Sequence, residues 1–180
     1  CRIFSKCIGS FGTKNNEGTV MLLMKKLLNK LYQNQAQIFK PTPEKDLQSL
    51  RIQMAKEKML PLPSDYIQFL SLTDGLMFNG LRFFGVTAHE REKANYSYPS
   101  LFDVNKDFYA RNRRKDVLII GEKDEDLLIY SPKTKTYQIM DKMDLIADLE
   151  LPRFFDLVYF FVQKIMDSDT LLSQKDKVEK

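Results

Sequence analysis

Several residue types are scarce in this chain of 180 residues. It has no tryptophan and one histidine, and its two cysteines, Cys1 and Cys7, lie close together at the start. A disulfide framework is therefore excluded for the rest of the chain, and no Cys-x-x-Cys or His-x-x-x-His pair is present to bind zinc. No apolar run reaches the roughly 18 residues that a membrane-spanning helix needs. We therefore predict no metal, no cofactor and no membrane partner.

The composition is that of a folded domain of ordinary size. Apolar residues make up 43% of the chain and aromatic residues 12%, which excludes general disorder. The net charge is +4, from 28 basic and 24 acidic residues, and this near-balance does not indicate a nucleic-acid-binding protein. The scarcity of cysteine fits a reducing compartment. The sequence thus predicts one cytoplasmic domain, and it gives no oligomeric state.

The two ends of the chain differ in character from its middle. Residues 1–20 are polar, lack the apolar stretch of a signal peptide, and do not begin with methionine. We interpret them as a disordered or non-native extension, with Met21 as the natural start; the alternative is a lipoprotein with a lipidated Cys1. Residues 21–167 are predicted to form the domain, and residues 168–180 a charged, flexible tail.

Four segments show the spacing of amphipathic helices. The first covers residues 21–39, and the second runs from a Thr42 cap to about Lys58. A third helix starts at Pro63 and is closed by the left-handed residue Gly75. The fourth is an aromatic-rich helix of about 15 residues from Pro152, which we expect to cover one face of a sheet.

The strands are predicted from apolar runs and turn residues. Asn79-Gly80 indicates a two-residue hairpin between residues 76–78 and 81–86. The β-branched run at 117–121 indicates a central strand, and two further strands at 127–130 and 136–140 complete a three-stranded antiparallel meander. Residues 87–116 appear irregular, and residues 141–151 are interpreted as a connection. Helices at both ends of an antiparallel or mixed sheet indicate an α+β fold.

Three polar features are candidates for chemistry or binding. His89 stands in a polar stretch without partners for catalysis and is interpreted as a surface histidine. The basic run Arg111, Arg113, Arg114 and Lys115, beside Phe108 and Tyr109, could contact nucleic acid, but a solvated loop explains it better. The acidic turn Glu122, Asp124, Glu125 and Asp126 lacks the calcium-loop pattern. It is either a solvated turn or a surface for a cationic partner.

The order of these pieces resembles the SUKH superfamily of Smi/Knr-type domains, and within it the YrhA-like bacterial branch. The resemblance covers roughly residues 40–166 and rests on order and spacing. Its elements are Leu62-Pro63-Ser64-Asp65-Tyr66 to Phe69-Leu70, Thr73-Asp74-Gly75, Asn79-Gly80-Leu81 to Phe84-Gly85, Phe102–Lys106, Ile119–Glu122, Ile129-Tyr130, Tyr137–Asp141 and Pro152–Phe161. The chain departs from this branch in lacking tryptophan, and Phe108 or Tyr109 takes the aromatic place after Asn105-Lys106.

The resemblance implies a binding module and no enzyme. Bacterial members of this superfamily are largely immunity proteins that bind and neutralise polymorphic toxins, many of them nucleases; other members are regulatory scaffolds. It implies a toxin domain as the protein partner, and the acidic turn is our first choice for the contact surface. Asp74 and Asn79, at the neighbouring turns, are added to it. A scaffold that binds the cell's own proteins, or a nucleic-acid-binding protein using residues 111–115, are the alternatives.

Overall fold

The computed structural model describes residues 17–90 and 97–178. The five helices in these ranges are α1 (Glu17–Gln33), α2 (Glu44–Lys56), α3 (Ser64–Leu70), α4 (Leu101–Asn112) and α5 (Phe154–Val178). The nine strands are β1 (Gln37–Ile38), β2 (Leu76–Phe78), β3 (Leu81–Phe83), β4 (His89–Glu90), β5 (Ser97–Tyr98), β6 (Leu118–Lys123), β7 (Asp126–Ser131), β8 (Thr136–Asp141) and β9 (Ala147–Leu151).

Seven strands form one sheet in the order β1-β2-β3-β6-β7-β8-β9, and every neighbouring pair is antiparallel. Strands β4 and β5 pair separately. The sheet order follows the chain. Short turns join β2 to β3, β6 to β7 and β7 to β8, whereas α2 and α3 lie between β1 and β2, and β4, β5 and α4 lie between β3 and β6. Asn79 and Gly80 have φ of 44° and 80°, which confirms the positive φ that the predicted hairpin requires. The α+β class is confirmed.

Helices cover both faces of this sheet. The pleat sends alternate side chains to opposite faces, so Phe83 and Tyr137 point to one face. There they meet Phe154 of α5, with ring centroids 5.0 and 5.6 Å apart. Tyr66 and Phe69 of α3 pack on the same phenyl ring, each at 4.8 Å. The predicted role of the aromatic last helix is therefore confirmed for its first half.

Helix α4 lies on the other face of the sheet. This helix was not predicted from the sequence. Its Asn105 side chain is fully buried; it donates to Leu101 and Ile119 carbonyls and accepts from the Ile119 N–H, each at 2.8 Å. These bonds satisfy the backbone of β6 where its register shifts between Ile119 and Gly121. The stretch 87–116, predicted to be the least regular part of the chain, thus contains α4 and the strands β4 and β5 among its described residues.

Several predicted boundaries are wrong in detail. Helix α1 ends at Gln33, and β1 follows where a longer helix was predicted. Pro43 occupies the N-cap of α2, and Thr42 instead donates its hydroxyl to Asp74 at 2.8 Å. Helix α3 ends with Ser71 as C-cap. Gly75, at φ 96°, therefore directly precedes β2 and caps no helix.

The ends of the domain also differ from the prediction. Helix α1 begins at Glu17, so residues 17–20 are helical, and residues 1–16 lie outside the described part of the chain. Helix α5 continues to Val178, because neither proline nor glycine interrupts it. Residues 168–178 of the predicted flexible tail are therefore helical. The connection predicted at 141–151 holds β9. Within the described ranges, no helix has the length and apolar character to cross a membrane.

Candidate functional site

The acidic turn and the loop beyond β8 meet at one edge of the sheet. Lys123 pairs with Asp126 across the turn, so only Asp124 and Glu125 are turn residues. The Lys142 N–H donates to the Glu125 carbonyl at 3.1 Å, and this bond joins the β6–β7 turn to the β8–β9 loop. We call the surface formed by Asp124, Glu125, Asp126, Asp141, Asp144 and Asp148 the acidic edge.

Two carboxylates of the acidic edge face each other directly. Asp126 on β7 is the register partner of Asp141 on β8. Burial raises the pKa of Asp126, and the charge of Asp141 raises it further. Like charges directly opposite each other destabilise a sheet. The fold therefore bears a local electrostatic cost that a cationic partner would relieve.

Two lysines compensate only part of this charge. Lys123 pairs with Asp124, and the Lys142 ammonium lies 3.3 Å from the Glu122 carboxylate. Arg82 also binds Glu122, at 3.0 Å. Glu122 lies on β6, outside the turn where it was predicted, and its charge is neutralised within the protein. Glu125, by contrast, is exposed.

Exposed apolar side chains stand between the carboxylates of the loop. Asp141 accepts from the Met143 N–H at 2.6 Å, and Asp144 accepts from the Ile146 N–H at 2.9 Å. These bonds fold the loop so that Met143 is 91% exposed and Ile146 59% exposed. Two large apolar side chains held in water beside a charged rim are typical of a protein contact surface.

The Asn79-Gly80 turn adjoins the acidic edge. A side chain built at Gly80 would come within 2.9 Å of the Asp124 carboxylate. The neighbouring strands β3 and β6 bring the two turns together, since Leu81 pairs with Lys123. The structure therefore brings the Asn79-Gly80 turn next to Asp124.

Asp74 does not belong to this surface. It is 5% exposed, and its carboxylate accepts from Thr42 and from the N–H groups of Val86 and Thr87, at 2.8, 2.6 and 3.1 Å. A carboxylate with so many internal donors organises the chain around it. We therefore remove Asp74 from the candidate contact residues.

The His89 side chain is 22% exposed, as a surface histidine requires, but it is also a partner of Asp74, which the sequence did not predict. Its Nε2 lies 2.7 Å from the Asp74 carbonyl oxygen and 3.1 Å from the carboxylate. Because both are acceptors, Nε2 carries the proton. The imidazole also stacks on Phe39, with centroids 3.6 Å apart. These contacts fix β4 to the β1–β2 region. The sequence gives no signal for this pairing, because the partners are far apart along the chain.

The basic run is dispersed by the fold. Arg111, on α4, pairs with Asp107 at 2.9 Å, and Arg114 pairs with Asp116 at 2.8 Å. Arg114 also donates to the Leu145 carbonyl at 3.0 Å. Arg113 is a left-handed C-cap, and Lys115 is exposed. With two arginines committed to carboxylates, the run offers little continuous positive surface.

A cleft of about 330 Å³ lies between α1, α3 and the start of α5. Asp65 and Tyr137 line it, but the Tyr137 hydroxyl donates to Asp65, and the Phe154 N–H donates to the same carboxylate at 2.8 Å. Burial and the charge of Asp65 raise the pKa of Tyr137. Throughout the described residues, no group of three or more histidine, cysteine or acidic side chains could hold a metal ion.

No protein-family model matches the chain, and no curated protein matches it significantly.

Proposed function

We propose that this chain is a non-enzymatic protein-binding module whose contact surface is the acidic edge. The observation that carries the proposal is the charge at this edge, which Lys123 and Lys142 compensate only in part. There Asp126 faces Asp141, and two exposed apolar side chains stand beside them. Such a surface suits a partner that supplies lysine or arginine around apolar contacts, because complementary charge speeds association and selects the partner.

We further propose, from the resemblance to the SUKH superfamily, that the partner is the catalytic domain of a toxin and that the chain is a cytoplasmic immunity protein. A nuclease toxin fits the charge argument, since a surface that binds phosphate groups is cationic. The immunity protein would cover that surface and block access by steric and electrostatic means. No turnover is required of its own residues.

Co-expression tests this function. The toxin domain encoded beside the gene is expressed in a sensitive bacterium with the full chain, with the double variant Asp124→Lys/Glu125→Lys, or with Glu57→Lys. Glu57 is exposed at the C-terminal end of α2 and controls for charge reversal elsewhere. We expect rescue and a co-purifying complex with the wild type and Glu57→Lys, and loss of both with the double variant.

Other outcomes separate the alternatives. Rescue by the double variant would remove the acidic edge from the proposal. Absence of rescue by the wild type would contradict the immunity function and favour a scaffold for the cell's own proteins. Binding to mixed nucleic acid that falls steeply with salt, and that is lost with Arg113→Glu/Lys115→Glu, would favour a nucleic-acid-binding protein.

A further inference from the structure

The face of the sheet under α4 is only partly covered. A groove of about 490 Å³ opens between α4, strands β6 and β7 and the β8–β9 loop. Its apolar lining comes from both sides: Val104 and Phe108 from α4, Ile119 and Leu127 from the sheet, and Leu145 from the β8–β9 loop. We call this the α4 groove. Its volume suits one or two large side chains.

The rim of the α4 groove is charged. Asp103, Asp107 and Glu122 stand around it together with Arg111 and Lys142. Both cations are already engaged, since Arg111 pairs with Asp107 and Lys142 with Glu122. Within the described ranges, Asp103 forms hydrogen bonds with Ser100 and no ion pair. The rim therefore adds negative charge to that of the acidic edge.

The α4 groove adjoins only the part of the acidic edge at the β6–β7 turn, because Asp126 and Asp141, like Tyr137, point to the opposite face of the sheet. Lys142, which lines the groove together with Leu145 of the β8–β9 loop, donates its N–H to the Glu125 carbonyl of that turn. The exposed Met143 and Ile146 lie in the β8–β9 loop as well. The α4 groove thus adjoins a loop that carries exposed apolar side chains between acidic residues. This arrangement resembles a protein interface with an apolar centre and a charged border.

We propose that the α4 groove receives a large apolar side chain from a basic segment of the partner protein, whose lysines or arginines contact Asp124 and Glu125 of the acidic edge. This inference rests on the proposed function for the role of the partner, but it concerns a specific subsite. Charge complementarity decides the occupant. The carboxylates would repel an acidic segment, and a purely apolar segment would leave them without partners.

The test uses the full chain and three synthetic peptides of equal length. The first alternates lysine and leucine, the second replaces leucine by serine, and the third replaces lysine by glutamate. Backbone amide signals of the ¹⁵N-labelled protein are followed in a titration. We expect the lysine–leucine peptide to shift amides of α4, of the β6–β7 turn and of the β8–β9 loop. The serine and glutamate peptides should each bind at least about tenfold more weakly.

Variants locate the subsite. Val104→Trp fills the groove from a half-buried position, and because the chain has no other tryptophan, its fluorescence also reports directly on the groove. We expect Val104→Trp to weaken binding of the lysine–leucine peptide about tenfold. Ile52→Trp, at a half-exposed site on α2, should leave it unchanged. Thermal melts of both variants establish that they fold.

Three results would overturn the inference: equal binding of the serine peptide, shifts confined to another surface, or unchanged binding by folded Val104→Trp. Concentration-dependent shifts of the groove amides without peptide would overturn it in favour of a second copy of the chain. The outcome is independent of toxin rescue. Peptide binding without rescue would support the groove as a binding subsite and contradict the immunity function. Rescue without peptide binding would support the immunity function and contradict the groove as a subsite.

Discussion

Asp65 links three elements through one carboxylate. It accepts from the Tyr66 N–H at 3.0 Å on its own helix, from the Tyr137 hydroxyl on β8, and from the Phe154 N–H at the start of α5. Tyr137 is 1% exposed, so its hydroxyl has little access to water if Asp65 is lost. A buried polar group left without a partner costs far more than one hydrogen bond contributes.

We therefore predict that Asp65→Ala lowers the free energy of unfolding by about 2–4 kcal/mol. Tyr137→Phe should cost less, because Asp65 then keeps both N–H donors. Urea denaturation of the two variants measures the difference. Ser64→Ala, at the exposed neighbouring position, is the control and should change stability by less than about 0.5 kcal/mol. Equal stabilities of Asp65→Ala and Ser64→Ala would contradict the linking role.

Asp126 and Asp116 should respond to pH with opposite signs. Burial and Asp141 raise the folded-state pKa of Asp126, so its charge destabilises the fold above that pKa. This cost is lost as pH falls through the raised value. Asp126→Asn should therefore increase stability at pH 7, by about 0.5 kcal/mol, with no gain at about pH 3.

For Asp116, the hydrogen bond from Arg114 lowers the pKa. The charged carboxylate then adds stability above its unfolded-state pKa, and this is lost as pH falls through the lowered value. Asp116→Asn should reduce stability at pH 7 and have no effect in strong acid. Urea titrations of both variants at each pH give the comparison. Changes of the same sign at pH 7 would show that the two environments are not opposite.

At the scale of elements, α4 depends on a cap that the sequence contains. The Ser100 Oγ accepts from the Asp103 N–H at 3.2 Å and donates to the Asp103 carboxylate at 2.6 Å. This resembles a capping box with aspartate in the third helical position, except that the Asp103 carboxylate accepts from the Ser100 hydroxyl instead of the Ser100 backbone N–H. Ser100→Ala should destabilise the protein by about 1 kcal/mol.

Amide hydrogen exchange measures where that loss acts. We expect faster exchange in the first turns of α4 and in β6, which Asn105 joins to the helix, with unchanged exchange in α3. Ser71→Ala, a surface variant at the end of α3, is the matched control. Uniform acceleration across the whole sheet would mean that α4 does not open separately.

The sequence predicts those elements whose signal is local. Asn79-Gly80 forms its turn by its own backbone preference, and Pro63 starts α3 without help from the rest of the chain. Helix α4 has a helical spacing of Leu101, Phe102, Asn105, Phe108 and Tyr109, but a polar asparagine interrupts that apolar stripe, and only its bonds to β6 explain its burial. Strand β9 is mostly exposed, so no apolar run marked it.

The candidate site was predictable in part for the same reason. Charge density at residues 122–126 is visible along the chain, whereas the opposition of Asp126 and Asp141 depends on the register of β7 and β8. The neutralisation of Glu122 by Arg82 depends on the pairing of β3 with β6. Such long-range pairings leave no mark in local sequence, and the same holds for Asp74 and His89.

At the scale of the whole molecule, the charge distribution matters more than its sum. The chain carries a net charge of +4, yet six carboxylates gather at one edge. The field at this edge therefore opposes that of the remaining surface, and it should orient a cationic partner before contact. Such steering acts over about one Debye length, roughly 8–10 Å at physiological salt.

We predict that Asp124→Lys/Glu125→Lys slows association with the proposed toxin domain about tenfold at low salt while changing dissociation less. Wild-type association should slow as salt is added, and the two rates should converge at high salt, since screening removes the steering that distinguishes them. Stopped-flow mixing over a salt series measures both rates, and Glu57→Lys should follow the wild type. If the double variant changed only the dissociation rate, and the association rate did not depend on salt, these carboxylates would act only by direct contact. The acidic edge would then be part of the bound interface without guiding the approach.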